Sequence, residues 1–225
     1  MRPRVLALAA ALLAGVGVHA QETPRWPDTF TARLEALALI QTLNAEILAS
    51  RSATSTLQTW CGEHRLADPP VIVADRAPAA ASAPTAEQLA RLDVTSAADV
   101  KYRHVRLRCG GRVLSEADNW YVPGRLTPEM NRALETTDAP FGRVVAPLEP
   151  YRRTLSATIL WSPLPAGWER AGAARPPAAA RGPLEIPAAL FRHQAVLYTK
   201  DHLPLSEVVE IYQRDVLAFP APVGK

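Results

Sequence analysis

Two hairpin-like runs each set one charged residue among apolar neighbours. Tyr102–Pro123 (YRHVRLRCGGRVLSEADNWYVP) opens with Arg103, and Phe191–Gln213 (FRHQAVLYTKDHLPLSEVVEIYQ) carries Glu207 in its second half. On neighbouring strands of one sheet, such a guanidinium and carboxylate can hold the two ends of a small anion. An arginine fork binds a carboxylate bidentately, and more strongly away from water. A glutamate whose pKa is raised by desolvation can donate a proton at the far end. The plainer alternative is two ordinary hairpins whose charges face solvent. Arg152-Arg153 offers a second anion contact, although adjacent arginines read more naturally as a solvated pair. Asn119, Trp120 and Tyr121 end a strand near the same place, with Trp120 read as packing.

Other chemistries find less support. The sequence has no G-x-S-x-G, no cysteine–histidine pairing near a helix start and no glycine-rich phosphate loop. His64, His104, His193 and His202 show no metal-ligand spacing, and two cysteines alone make a poor zinc site, so neither a metal nor a cofactor is expected. Cys61 ends a predicted helix and Cys109 ends a predicted strand. In an oxidising compartment an even count permits one bridge, and a Cys61–Cys109 disulfide is expected over two buried thiols.

That compartment is suggested by residues 1–20. Arg2 and Arg4 precede an apolar run from Val5 to Val18, and Val18-His19-Ala20 forms a small-x-small site before Gln21. The pattern is that of a cleaved signal peptide, too short for a comfortable membrane span. A periplasmic or secreted product follows, with no stable membrane insertion after cleavage. The chain has 25 basic and 22 acidic residues. Losing Arg2 and Arg4 brings the two near parity, so no nucleic-acid partner is expected. Residues 21–225 read as one domain, acting as a monomer, with Pro/Ala-rich excursions near 76–84 and 163–187.

The elements that must position the charges follow from periodicity and punctuation. Leu34, Leu37, Ile40, Leu43 and Ile47 recur at helical spacing within Phe30–Ser50, and a second helix runs from about Ser52 to Cys61. Val71-Ile72-Val73 reads as a strand, and Thr85-Ala86-Glu87-Gln88 has capping-box spacing. In Val100–Cys109, Val105, Leu107 and Cys109 alternate with His104, Arg106 and Arg108, and Gly110-Gly111 turns the hairpin into a return strand ending at Pro123. Thr127-Pro128-Glu129 starts a helix. Asp138–Arg143 is a tight connection into an extended region, Val144–Trp161, and a last hairpin turns at Lys200-Asp201. Strands joined by tight turns predict an α+β domain: an antiparallel sheet with helices packed on one face.

Four short stretches, in order and at similar spacing, resemble the chorismate pyruvate-lyases, whose fold is shared by ligand-binding domains of some bacterial winged-helix repressors. Ser52-Ala53-Thr54 resembles that family's Ser-Met-Thr. Tyr102-Arg103 leading to Gly110-Gly111 resembles its Arg-led strand and hairpin. Pro140-Phe141-Gly142-Arg143 resembles its Pro-Leu-Gly-Arg turn, and Leu203-Pro204-Leu205-Ser206-Glu207 its Pro-Leu-Leu-Leu-Thr-Glu strand. The resemblance covers roughly Ile47 to Tyr212. It implies a chorismate-lyase-like fold and a site for a small aromatic carboxylate. Arg103 and Glu207 then fill the catalytic and binding roles, and Ala53 and Phe141 line the site. The implied reaction splits chorismate into 4-hydroxybenzoate and pyruvate by elimination without a cofactor. A non-catalytic envelope binder of aromatic acids is the alternative. Ala53 and Phe141 replace the family's Met and Leu, and a one-residue shift in the first strand would substitute Arg106 or His104 for Arg103.

Overall fold

The computed structural model describes residues 25–76, 80–172 and 182–222. The signal-peptide reading of residues 1–20 lies outside them, as do residues 77–79 and 173–181 of the two excursions. The chain begins with helix α1 (Phe30–Ala49), capped by Thr29, whose Oγ1 accepts from the Ala32 N–H at 3.1 Å. Its buried stripe is Ala32, Ala36, Ile40, Leu43 and Ile47. The C-terminal half is the one expected. In the N-terminal half the i−4 step from Ile40 runs through Ala36 and Ala32, which leaves Leu34 exposed. Helix α2 (Ala53–Glu63) is capped by Ser52 and buries Leu57, Trp60 and Cys61.

The strands are β1 (Ile72–Arg76), β2 (Lys101–Cys109), β3 (Arg112–Tyr121), β4 (Tyr151–Ile159), β5 (Ala189–Tyr198) and β6 (Pro204–Gln213). They form one six-stranded sheet in the order β1-β2-β3-β6-β5-β4, with every neighbouring pair antiparallel. The expectation of an α+β domain built on an antiparallel sheet therefore holds, but the helices are not confined to one face: α1 and α2 cover one side, and a short helix lies on the other. The hairpin β2–β3 turns at Gly110 with φ +56°, and a Cβ there would lie 2.8 Å from the Ala67 Cβ, so the turn needs a glycine twice over.

Between β1 and β2, helix α3 (Ala86–Arg91) carries the expected capping box, in which Thr85 and Gln88 bond each other's backbone N–H groups. It lies over the opposite face of the sheet, where Leu92 packs with Trp120 and Val122. Trp120 is thus a packing residue, and its Nε1 donates to the Ser82 carbonyl. Helix α4 (Pro128–Thr136) starts at the Thr127 cap. The connection expected to lead straight into extended chain instead forms a short helix α5 (Phe141–Val144) and a 3-10 turn (Ala146–Leu148) before β4.

The main core lies between the sheet and α1–α2, with Trp26, Ile40, Leu43, Leu57, Trp60, Phe191 and Tyr212 at its centre. Cys61 on α2 and Cys109 at the end of β2 are joined in a disulfide. Most described residues of the 163–187 excursion are exposed, but a few near its ends are anchored inward. Leu164 and Leu184 are buried, Leu184 N–H donates to the Trp26 carbonyl at 2.7 Å, and Arg33 holds the Pro163 carbonyl. Apolar residues bracketing a Pro/Ala run gain by returning to the core whatever the run itself does. Among the described residues, no helix is long and apolar enough to cross a membrane.

Candidate functional site

Strand alternation decides which charges meet. Along β2, Arg103 shares its face with Val105, Leu107 and Cys109, which point toward α2. His104 and Arg106 point the other way, bonded to Asp118 and Asp75. Arg103 is therefore the inward cation, and the one-residue shift to either neighbour does not occur. On β3 the same face carries Ser115, Ala117, Asn119 and Tyr121, and on β6 it carries Ser206, Val208, Glu210 and Tyr212, aligned by the pairs Arg103↔Asn119, Asn119↔Val208 and Ala117↔Glu210.

Of these side chains, Arg103, Asn119, Ser206 and Glu210, with the apolar residues between them, line a cavity together with Ala53 and Thr54 at the start of α2 and Phe141 and Gly142 at the start of α5. Its space for the centres of water-sized spheres is about 50 Å³, room for several waters or a compact flat molecule. Val105, Leu107, Ala117, Leu197, Val208 and Phe141 give it apolar walls. Gly142 is needed where α5 meets α2, because a Cβ would lie 3.1 Å from both Ser52 Oγ and Thr54 Oγ1.

Glu207 is not in this cavity. It faces the opposite side of the sheet, fully buried, and accepts from Arg91 Nε (2.7 Å), Arg91 Nη2 (2.9 Å) and Gln194 Nε2 (2.8 Å), with Gln88 Nε2 at 3.4 Å. The expectation that Arg103 and Glu207 converge is corrected for that reason: a strand reverses side-chain direction at every residue, and odd-numbered positions of β6 face α3. Glu210 takes the inward place. Its Oε2 lies 2.6 Å from Arg152 Nη2 and accepts from the Tyr212 hydroxyl at 3.0 Å. Arg152, read as half of a solvated pair, is buried with a side chain only 3% exposed.

The cavity's two buried cations differ in charge pairing rather than in hydrogen bonding: Arg152 has the Glu210 carboxylate beside it, although its Nε has no hydrogen-bond partner among the described residues, and Arg103 makes no ion pair among them. Arg103 is 7% exposed; its Nη2 donates to the Ala139 carbonyl at 3.3 Å, and its Nε and Nη1 have no hydrogen-bond partner among the described residues. Asn119 Oδ1 and Ser206 Oγ, also buried, are likewise without partners there. Burial pulls the Arg103 guanidinium below its usual pKa; Tyr121 and Asp138 oppose this and Arg76 adds to it. Burial also works against Arg152, but the Glu210 carboxylate more than offsets it, and the net shift is upward. Tyr212 is pushed well above the phenol range by burial and then by Glu210, so it remains a neutral donor. Next to this group, His193 Nε2 donates to Asn44 Oδ1 at 2.8 Å, and burial followed by Arg152 lowers its pKa to about 4 against the pull of Glu210.

A buried guanidinium with two nitrogens left without partners among the described residues, bordered by apolar walls, is suited to a carboxylate on a small, flat body. Ala53 and Phe141 stand on that cavity's wall. Sequence reading missed Glu210, Tyr212 and His193, and it ranked an anion contact at Arg152 below a solvated pair. One signal was available: Glu207 and Glu210 stand three positions apart on one strand, an odd offset, so only one of them can share a face with Arg103. Among the described residues, no three His, Cys, Asp or Glu side chains cluster to hold a metal ion.

Comparison with known proteins gives one relative of high similarity. "Uncharacterized protein y4mC" of Sinorhizobium fredii (strain NBRC 101917 / NGR234) is 49% identical over 200 residues, spanning 88% of this chain and 84% of that protein. No family model matches the chain. Several solved structures show a partial likeness. PhnF from Mycobacterium smegmatis has a TM-score of 0.41 at 17% identity over 72% of this chain and 68% of that one. A GntR-family transcriptional regulator from Enterococcus faecalis V583 has 0.39 at 11%, over 63% and 93%. YydK from Bacillus subtilis, described as a possible transcriptional regulator, has 0.37 at 13%, over 63% of this chain but only 58% of its own, little more than half its length. At such scores the likeness carries no functional argument.

Proposed function

The chain belongs to the same family as the Sinorhizobium fredii protein y4mC, and we propose that it is a receptor for a small aromatic carboxylate. One observation carries this reading. Arg103 is almost wholly buried on the wall of an apolar cavity, and two of its nitrogens are unpartnered among the described residues. A buried charge without partners costs several kcal/mol, and a ligand carboxylate that met both nitrogens would offset that cost. The apolar walls match a ring, and Asn119 and Ser206 supply polar atoms for orientation.

The working compartment in this reading is the cell envelope, reached through cleavage after Ala20. The leader-like composition of residues 1–20 and the Cys61–Cys109 bridge both support it. Amino-terminal sequencing of the exported protein should begin at Gln21; a start at Met1 would remove the export proposal.

Calorimetric titration with 4-hydroxybenzoate tests the site. Binding that weakens about a hundredfold in Arg103→Ala, roughly the loss of one buried charge-assisted pair, is the expected result. Equal binding in the variant would sink the assignment. The second reading, a cofactor-free lyase, draws on Glu210, which occupies the cavity face that the resemblance had given to Glu207. It requires the purified protein to form 4-hydroxybenzoate from chorismate above the spontaneous rate. A trace that matches the buffer control leaves the receptor alone.

A further inference from the structure

Three buried side chains set the formal charge inside the cavity: Arg103, Arg152 and Glu210. They are not distributed evenly. Arg103 stands on β2, and Glu210 stands two strands away on β6, about 10 Å across the sheet by strand spacing. Arg152 reaches in from β4 at the sheet edge and is bound to Glu210 at 2.6 Å, where Tyr212 also donates. One end of the cavity therefore holds a bare cation, and the other holds a neutralised pair. A further cation, Arg51, borders the cavity at its exposed rim, and its Nε and Nη2 donate to the Pro150 and Glu149 carbonyls.

Building on the carboxylate-binding reading, we infer that the cavity selects acids of a single negative charge, and that Glu210 sets this selectivity by occupying Arg152. A monoanion places its carboxylate on Arg103 and leaves the interior neutral. A second carboxylate at the opposite end of the ring would arrive beside the Glu210 carboxylate, where the buried cation Arg152 is already charge-paired, although its Nε has no hydrogen-bond partner among the described residues. It would lose hydration and meet the like charge of Glu210, which is how binding sites reject close analogues. Arg51 does not rescue such a ligand, because a rim charge in water contributes little. Chorismate carries two carboxylates and falls outside the selected class, whereas 4-hydroxybenzoate falls within it.

The test compares 4-hydroxybenzoate with terephthalate, a para-dicarboxylate of similar shape, by calorimetry on the disulfide-intact protein. The wild type should bind the monoacid at least tenfold more tightly. Glu210→Gln releases Arg152 and should narrow that ratio at least tenfold, while the double variant Glu210→Gln/Arg152→Met should restore it. Terephthalate binding as tightly as the monoacid overturns this inference alone, and so does an unchanged ratio in a folded Glu210→Gln protein. Binding of neither acid overturns the receptor reading and this inference with it. If Glu210→Gln does not fold, the wild-type ratio decides.

Discussion

Glu207 and Glu210 lie within one turn-free stretch of β6, both buried, on opposite faces of the sheet. The Glu207 side is closed chemically. Arg91 grips the carboxylate with two nitrogens, Gln194 and Gln88 complete the shell, and α3 is thereby fastened across the sheet. The Glu210 side is open. Its own pair with Arg152 is made, but Arg103, Asn119 and Ser206 on the same face keep polar atoms without partners among the described residues. Burial of a charge does not by itself mark a site. A charge whose valences are all met by its own chain fastens the fold, and a charge left incomplete in a cavity is the one that can recognise something else.

The largest effect that would break this contrast is on the closed side. Arg91→Ala leaves the Glu207 carboxylate buried with only neutral amides, and should cost about 3–5 kcal/mol in chemical denaturation with no change in 4-hydroxybenzoate affinity. A loss of affinity at full stability would show that the two faces are not separate in function.

A second effect reads the open side through pH. His193 stays neutral in the fold because burial, then Arg152, holds its pKa down to about 4, against Glu210. In the unfolded chain it takes up a proton near pH 6.5. The unfolded state thus binds the extra proton between these values. Stability from this group is fully present above about pH 6.5 and is lost as pH falls toward 4, by about 3 kcal/mol in total. Denaturation curves from pH 4 to 7 should be flatter for His193→Gln than for the wild type by that amount; parallel curves would mean that the imidazole is not held neutral.

The smallest effect is the most telling. Arg103→Met removes a buried cation that, among the described residues, gives the fold one long hydrogen bond, to Ala139. Thermal unfolding should show no loss of stability, and a gain of about 1 kcal/mol is expected from lifting its desolvation. A loss of more than about 2 kcal/mol would make Arg103 structural, like Arg91 and Glu207 across the sheet.

Local signals were read well from the sequence because they depend on neighbours in the chain. Helices start where expected, at Phe30, next to Ser52 and after the capping residues Thr85 and Thr127, and the apolar face of β2 carries Val105, Leu107 and Cys109. Misreadings occurred where a side chain's fate depended on distant chain. Arg152 looked like a surface residue because its partner lies 58 positions away, on a strand that reaches it only across β5. The Ala32 and Ala36 stripe was overlooked because leucines nearby had the larger hydrophobicity, although the i−4 step from Ile40 selects the alanines.

The sequence by itself determined the alternating faces of β2, the helix starts and the pairing of two cysteines, since pleat, cap and cysteine count are local or combinatorial properties. Which glutamate shares a face with Arg103 was decided only by the tertiary structure. That answer depends on the register of β3 against both β2 and β6, and register is fixed by the packing of the whole sheet on α1 and α2.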